Sequence, residues 1–240
     1  KAWTWKLGAR AYHADIAPNP GTPDQNDRGT VFSTGLYVKL EPGISWYVRR
    51  AMSYRLPLVD EFAGPGVATP ALNVQRATDY ETGLHFNKPY VQGRIAWYDM
   101  FLTHEISFAP GQGGQPGANR NLPPTVRRGI LASFVEPLQK WRLSEGFMLS
   151  QNRFRSGAWQ GNTIPWSAPV LAHAGVGYHF DAHWYSQVQM HYAGGEYMIF
   201  DYANAYQKQG GYSTYDWALH YHAKPYIISL RVNNLTNKHF

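Results

Sequence analysis

The sharpest alternation of apolar and polar positions runs from Tyr212 to Phe240. Tyr215, Trp217, Leu219 and Tyr221 recur at every second position against Thr214, Asp216, Ala218, His220 and His222. That period puts an aromatic row on one face of a strand and a polar row on the other. After a turn at Ala223-Lys224-Pro225, Tyr226, Ile228, Leu230 and Val232 repeat the apolar row against Ser229, Arg231 and Asn233. Such a hairpin suits a soluble sandwich or a membrane barrel, whose apolar face meets lipid and whose polar face lines a wet lumen.

The same beat fills the chain upstream. Trp3, Trp5, Leu7, Ala9 and Ala11 alternate with Thr4, Lys6, Gly8, Arg10 and Tyr12 over Ala2 to Ile16. Phe32, Thr34, Leu36, Val38 and Leu40 alternate with Ser33, Gly35, Tyr37 and Lys39, and after Glu41-Pro42-Gly43 the residues Ile44, Trp46 and Val48 answer Ser45, Tyr47 and Arg49. Two strands are less clean. Between Gly93 and Ile106 both faces carry large apolar residues, and Glu145 interrupts the row Trp141, Leu143, Phe147 and Leu149; that carboxylate is expected near a rim, or else in another register.

The connections separate sandwich from barrel. Long links at Ala17 to Gly29, Tyr54 to Thr78, Ser107 to Pro124, Arg155 to Ala168 and Glu196 to Gly210 alternate with short ones. The short ones are Glu41-Pro42-Gly43, Asn87-Lys88-Pro89, Glu136-Pro137-Leu138, Phe180-Asp181-Ala182 and Lys224-Pro225. In an up-and-down meander every second connection lies at the same end, so all long loops fall at one rim and all tight turns at the other. Outer-membrane barrels have this asymmetry, with short periplasmic turns and long extracellular loops. The predicted fold is an all-β, antiparallel, up-and-down transmembrane barrel. The count reaches about eleven strands, an odd number that does not close a single-chain bacterial barrel.

Composition narrows the alternatives. Aromatic residues make up 15% of the chain, with 17 Tyr and 9 Trp, in keeping with rings at a bilayer interface. A mean hydropathy of -0.44 and the lack of any run of 18 apolar residues exclude a bundle of membrane helices. The net charge of +6 comes from 22 scattered Lys and Arg with no basic helix, which argues against nucleic acid as a partner. There is no cysteine, hence no disulfide framework and no thiolate metal site.

Four segments, in order, resemble the C-terminal half of the barrel of a TonB-dependent outer-membrane receptor, the siderophore receptor class. They are Trp5-Lys6-Leu7-Gly8-Ala9-Arg10-Ala11-Tyr12; Ser45 to Pro57 followed by Asp60-Glu61; Thr69-Pro70-Ala71-Leu72-Asn73 to Tyr80-Glu81-Thr82-Gly83-Leu84; and Tyr215-Asp216 with Val232-Asn233-Asn234-Leu235-Thr236-Asn237-Lys238-His239-Phe240. Arg128-Gly129-Ile130-Leu131 departs from the family by lacking an acid, and Tyr54-Arg55-Leu56-Pro57 stands where the family has Phe-Arg-Ala-Pro. Leu58 to Thr69 contains no histidine, so haem uptake loses weight.

The resemblance implies that residues 1–240 are part of a barrel of about 22 strands, with the plug domain, the N-terminal strands and the final strand outside this sequence. It further implies a multi-pass protein of the outer membrane. Its expected partners are the TonB–ExbB–ExbD energy-coupling complex, a ferric siderophore or similar scarce solute, and the surrounding lipid and lipopolysaccharide, and it is expected to act as a monomer. Iron would enter only within the transported chelate, with no cofactor of the protein's own.

Candidate chemistry is for binding. No ordered catalytic motif is present, so the protein is expected not to be an enzyme. His179 with His183, and His220 with His222, lack a third ligand for a metal, and structural roles are expected. By strand direction Tyr12, Tyr54, Arg55, Arg153, Arg155, Trp159, Tyr197 and Tyr202 lie towards the long-loop rim, where arginine forks and aromatic faces would hold an anionic chelate. The same residues could instead form an aromatic girdle and meet lipopolysaccharide phosphates. Two other classes stay open: a passive porin of about twelve strands, and a soluble carbohydrate-binding β-protein.

Overall fold

The computed structural model describes residues 2–16, 25–62, 71–111 and 117–239. Its strands are β1 (Trp3–Ile16), β2 (Gln25–Glu41), β3 (Ile44–Arg55), β4 (Gln75–Lys88), β5 (Val91–Thr103), β6 (Ile106–Ala109), β7 (Ala118–Asn121), β8 (Thr125–Leu138), β9 (Trp141–Phe154), β10 (Val170–His179), β11 (Trp184–Ala193), β12 (Tyr212–Ala223) and β13 (Tyr226–Val232). Eleven of them form one antiparallel sheet in chain order, interrupted only where β6 and β7 leave it as a separate hairpin between β5 and β8. The sheet runs from β1 to β13 without closing. No helix among the described residues is long and apolar enough to cross a membrane.

Register assigns the two faces. Val38, Trp46, Leu84, Ile95, Ala132 and Phe147 are successive cross-strand partners, and cross-strand partners share a face. This outer face holds most of the exposed large apolar side chains, including Trp97, Ile130, Leu149, Val176 and Val188. The inner face carries Tyr37, Tyr47, Arg49, Glu81, His85 and Arg94. Cross-strand pairing also settles β5, whose own pattern is ambiguous: Ile95, Trp97 and Phe101 lie outward, Tyr98, Met100 and Leu102 inward. Glu145 stays on the outer row, exposed and opposite Phe134 and Ala174, so its register holds and it is not at a rim.

The tight turns all lie at one rim, at Pro42-Gly43, Pro89-Tyr90, Gln139-Lys140, Phe180 to His183 and Lys224-Pro225. Two are displaced from expectation. The turn predicted at Asn87-Lys88-Pro89 falls at Pro89-Tyr90, because Asn87 and Lys88 still pair with Gln92 and Val91. The turn predicted at Glu136-Pro137-Leu138 falls at Gln139-Lys140, because Pro137 is still paired, opposite Arg142, and it is Gln139 that reverses the chain with φ +55°. A proline keeps φ in the extended range and can therefore end a strand as well as start a turn. At the β2–β3 turn Gly43 has φ +79°, and a Cβ there would press on the Asn87 carbonyl; the Asn87 amide donates to the Gly43 carbonyl at 2.7 Å. Gly43→Ala should destabilise the barrel by roughly 1–3 kcal/mol, read as a lower urea midpoint in detergent.

At the other rim the links are long, as expected, but several strands extend further into them. β2 begins at Gln25 and β4 at Gln75, and Ser107 to Pro124 is not a bare loop, since it contains the β6–β7 hairpin. Residues 112–116 of that segment lie outside the described residues. A small core of Leu122, Phe154, Ile164 and Tyr202, with Trp159 and Phe200 against it, ties this hairpin's end to the two following loops. Elsewhere on that rim the sheet splits. Pairs between β1 and β2 continue to Ile16 and Gln25, and those between β3 and β4 to Arg55 and Gln75, while β2 and β3 part above Ser33 and Ala51.

Candidate functional site

Where β2 and β3 separate, side chains bridge the gap. Tyr12 stacks on Tyr54 with ring centroids 3.8 Å apart, Arg76 lies over Tyr12 at 5.7 Å and Arg10 over Tyr54 at 5.3 Å. Asp27 pairs with Arg76 at 3.3 Å and accepts from the Tyr12 hydroxyl at 3.3 Å. Two of the residues expected at the site are thus brought together, but their ring faces already meet this chain's own groups. The arrangement works as a clasp across the split.

Arg55 is also committed within the chain. Its guanidinium donates to both Glu61 oxygens at 2.9 and 3.0 Å, and Glu61 also accepts from the Leu58 amide at 2.8 Å. This pairing, made through the one nitrogen Nη1, spans the 3-10 turn Val59–Phe62, which gives the Tyr54-Arg55-Leu56-Pro57 segment and its downstream acid a structural reason to occur together. Arg55→Gln keeps one hydrogen bond and loses the ion pair. Arg55 is 39% exposed, so the expected cost is about 1 kcal/mol or less, with faster proteolysis between Arg55 and Phe62 as the measurement. Asn234 plays a comparable part at the other end of the chain. Its amide donates to Asp216 at 2.8 Å, and its side-chain oxygen accepts from the Lys238 amide at 2.9 Å.

Arg153 and Arg155 take the outer face. Arg153 follows Leu149 and Gln151 at the β9 period of two and donates to the Gly161 carbonyl at 3.5 Å. Arg155 lies over the outward Phe101 ring at 4.8 Å. The sequence carried this signal, since extending the row Trp141, Leu143, Phe147 and Leu149 by four residues reaches Arg153.

Trp159 and Tyr202 converge from two different loops. Their rings stack at 4.5 Å, Phe154 packs beneath both, and the Tyr202 hydroxyl shares a 2.9 Å hydrogen bond with Ser107. Over them sits Arg120 of β7, its guanidinium 5.3 Å from the Trp159 ring and 5.6 Å from the Tyr202 ring. Arg120, Trp159 and Tyr202 line a cleft of about 1070 Å³ together with Ala109, Pro110, Ile199, Phe200 and Tyr206, among others. Among its described lining residues the one carboxylate, Asp201, is buried and accepts from the Ala205 and Tyr206 amides at 2.9 and 3.1 Å. Arg120 makes no ion pair among the described residues, so the cleft presents a free positive charge on an aromatic floor. Arg120 is absent from the expected set because no strand period marks it inside a Gly- and Pro-rich link.

Tyr197 lies in an adjoining cleft of about 720 Å³ that shares Met198 and Ile199 with the first. Lys208 sits over its ring at 5.0 Å. Glu196 lines the same space, and burial pushes its carboxyl above the usual range.

The inner wall below holds a separate polar network. Glu81 accepts from Tyr47 and from Arg49 at 2.8 Å, with Arg94 at 3.9 Å. Histidines line the same wall further round. His191 faces Asp216 at 3.7 Å, His220 hydrogen-bonds Ser229 at 2.8 Å, and His183 hydrogen-bonds the His222 carbonyl at 2.7 Å. No group of three potential metal ligands converges among the described residues.

Comparison with known proteins places this geometry. The family model described as TonB dependent receptor-like, beta-barrel, matches residues 1–235. No curated protein sequence matches the chain. Among solved structures, the copper transporter OprC superposes with a TM-score of 0.77 at 17% identity over 98% of this chain and 39% of its own. The ferric preacinetobactin receptor BauA from Acinetobacter baumannii gives 0.73 at 16% identity, over 98% of this chain and 36% of its own. The ferric yersiniabactin uptake receptor FyuA from Yersinia pestis gives 0.70 at 18%, over 98% and 37%. At these identities the likeness shows the fold, and the chain spans less than two fifths of each of these structures. Sheet order, loop asymmetry and the family match agree: the chain belongs to the TonB-dependent receptor-like β-barrel family.

Proposed function

We propose that the full-length protein is an outer-membrane receptor that takes up a scarce anionic solute, with a ferric siderophore as the favoured class, using energy relayed by the TonB–ExbB–ExbD complex. The observation that carries this reading is Arg120, without an ion pair among the described residues, over the stacked rings of Trp159 and Tyr202 in the cleft between the long loops. A guanidinium on aromatic rings suits a ligand that is both anionic and ring-bearing, because it supplies charge-assisted hydrogen bonds beside a flat apolar surface. The cleft's volume matches that of the larger pockets for small molecules. Iron would pass as part of the chelate, with the barrel working as a monomer.

Ligand chemistry at this site is tested by binding. The full-length receptor, purified from outer membrane, is titrated with ferric catecholate, hydroxamate and citrate chelates while tryptophan fluorescence is followed. The reading expects quenching by an anionic ferric chelate, reduced in Trp159→Phe. It fails if the neutral chelates bind as tightly as the anionic ones.

A further inference from the structure

Two adjoining clefts open between the long loops, and a single segment of the chain walls them apart. Met198 and Ile199 line both. Tyr197, just before them, lines the cleft of about 720 Å³, and Phe200 and Tyr202, just after them, line the one of about 1070 Å³. The segment is closed at its base by the pairing of Glu196 with Gln209, whose amide donates to the Glu196 carbonyl at 2.8 Å. Asn204 ties its far side to Thr163 through hydrogen bonds of 2.7 and 2.9 Å, and the Asn162 side chain donates to the Tyr202 carbonyl at 3.0 Å. Contacts within the chain therefore hold this wall, and the two clefts keep a fixed relation to each other.

The two clefts repeat one arrangement. In the larger, Arg120 lies over the stacked rings of Trp159 and Tyr202. In the smaller, Lys208 lies 5.0 Å from the centre of the Tyr197 ring. Trp166, 68% exposed, is held beside Tyr197 by its amide, which donates to the Tyr197 carbonyl at 2.9 Å. Lys238 adds a second cation to this cleft, brought there by a turn in which its amide donates to the Asn234 side chain at 2.9 Å. Neither lysine makes an ion pair among the described residues. Glu196 is the one acid among the described residues that line this cleft. Each cleft thus sets a positive charge beside flat aromatic rings, while the wall between them, Met198 and Ile199, is apolar and exposed.

A compact solute with one charged group fills one cleft and leaves the other to water. We propose that the solute is a chelate with at least two anionic aryl arms, of the catecholate type, and that it spans both clefts. One arm lies on Trp159 and Tyr202 under Arg120, and another lies between Tyr197 and Trp166 beside Lys208 and Lys238. The part that joins the arms crosses Met198 and Ile199. Taken together the clefts are larger than an ordinary small-molecule pocket, in keeping with a branched ligand. An arm that is both flat and anionic gains from the ring and from the cation at once, whereas the aliphatic arms of a citrate chelate gain from the charge alone. The inference rests on the anionic-chelate reading above and narrows it to one class. It gives Trp166, Lys208 and Lys238 a part in solute binding.

The test titrates the full-length receptor, purified from outer membrane, with a ferric tris-catecholate whose arms are linked, with ferric citrate, and with a dihydroxybenzoate as a single arm. Wild type is expected to bind the linked tris-catecholate at least about a hundredfold more tightly than the single arm, the gain from engaging two sites with one ligand. That comparison needs no variant. Tyr197→Leu/Lys208→Gln, with folding checked by heat-modifiable mobility, is expected to weaken the tris-catecholate about tenfold and to lower its preference over citrate by a similar factor. Equal affinity of wild type for the tris-catecholate and the single arm overturns the proposal, as does an equal loss of both ferric chelates in the double variant, or no loss of the tris-catecholate. Binding of citrate without the tris-catecholate overturns the two-armed solute and leaves the anionic-chelate reading standing. Binding of neither anionic chelate overturns that reading itself.

Discussion

Glu81→Leu is expected to destabilise the full-length barrel by roughly 1–3 kcal/mol, seen as a lower midpoint of heat-induced mobility change. The Glu81 side chain is 8% exposed and holds Arg49 at 2.8 Å, Arg94 at 3.9 Å and the Tyr47 hydroxyl. Removing the carboxylate leaves two guanidinium groups facing each other and a buried phenol without its acceptor. The full cost of breaking a buried pair would be larger, but Arg49 and Arg94 are 43% and 44% exposed, so water takes up part of their charge. Glu81→Gln keeps the acceptor for Tyr47 and should lose less. Equal stability of the leucine variant and wild type would mean that this network adds nothing to the wall.

Arg120→Ala is expected to weaken binding of an anionic ferric chelate by about tenfold to a hundredfold, the range for losing a charge-assisted hydrogen bond. The lower end is expected because the cleft is open to water. Arg120→Lys should recover part of the loss, since a point charge replaces the fork but cannot lie flat on Trp159 and Tyr202. Isothermal titration at low and high salt is the measurement. The wild-type affinity should fall with salt and that of Arg120→Ala should fall less. An unchanged affinity in the alanine variant would remove Arg120 from the site.

The sheet was legible in the sequence because one physical constraint, lipid outside and water inside, is written at every second residue. Trp3 to Leu7 and Tyr215 to Tyr221 show it directly, and the alternation of long and short links adds the vertical direction. Legibility ends where the period of two ends. Pro137 looks like a turn because proline is common in turns, yet it is the left-handed φ of Gln139 that reverses the chain. β5 is ambiguous alone, because Tyr98, Met100 and Leu102 face inward in a stretch where apolar side chains occupy both faces, and only its partners on β4 and β8 settle it.

The site is less legible for the same reason. Trp159 and Tyr202 were reachable as aromatic residues in long links. Their meeting with Arg120 depends on three loops packing over Leu122, Phe154 and Ile164, a tertiary event that leaves no local pattern. Arg153 shows the reverse case. Its parity with Leu149 places it outward, and a position near the loop rim does not by itself make a residue part of the solute site. Tyr12 and Tyr54 are near that rim as well, and their stacking closes a split between β2 and β3 rather than leaving a face open for a ligand.

The central claim is energised uptake through a TonB-dependent barrel, and one transport measurement tests it most directly. Cells expressing the full-length protein, with and without functional TonB, are given a radiolabelled ferric chelate under iron limitation. The account predicts accumulation only where TonB functions, with surface binding preserved where it does not. Equal accumulation in both strains would contradict it and return the barrel to the class of passive pores.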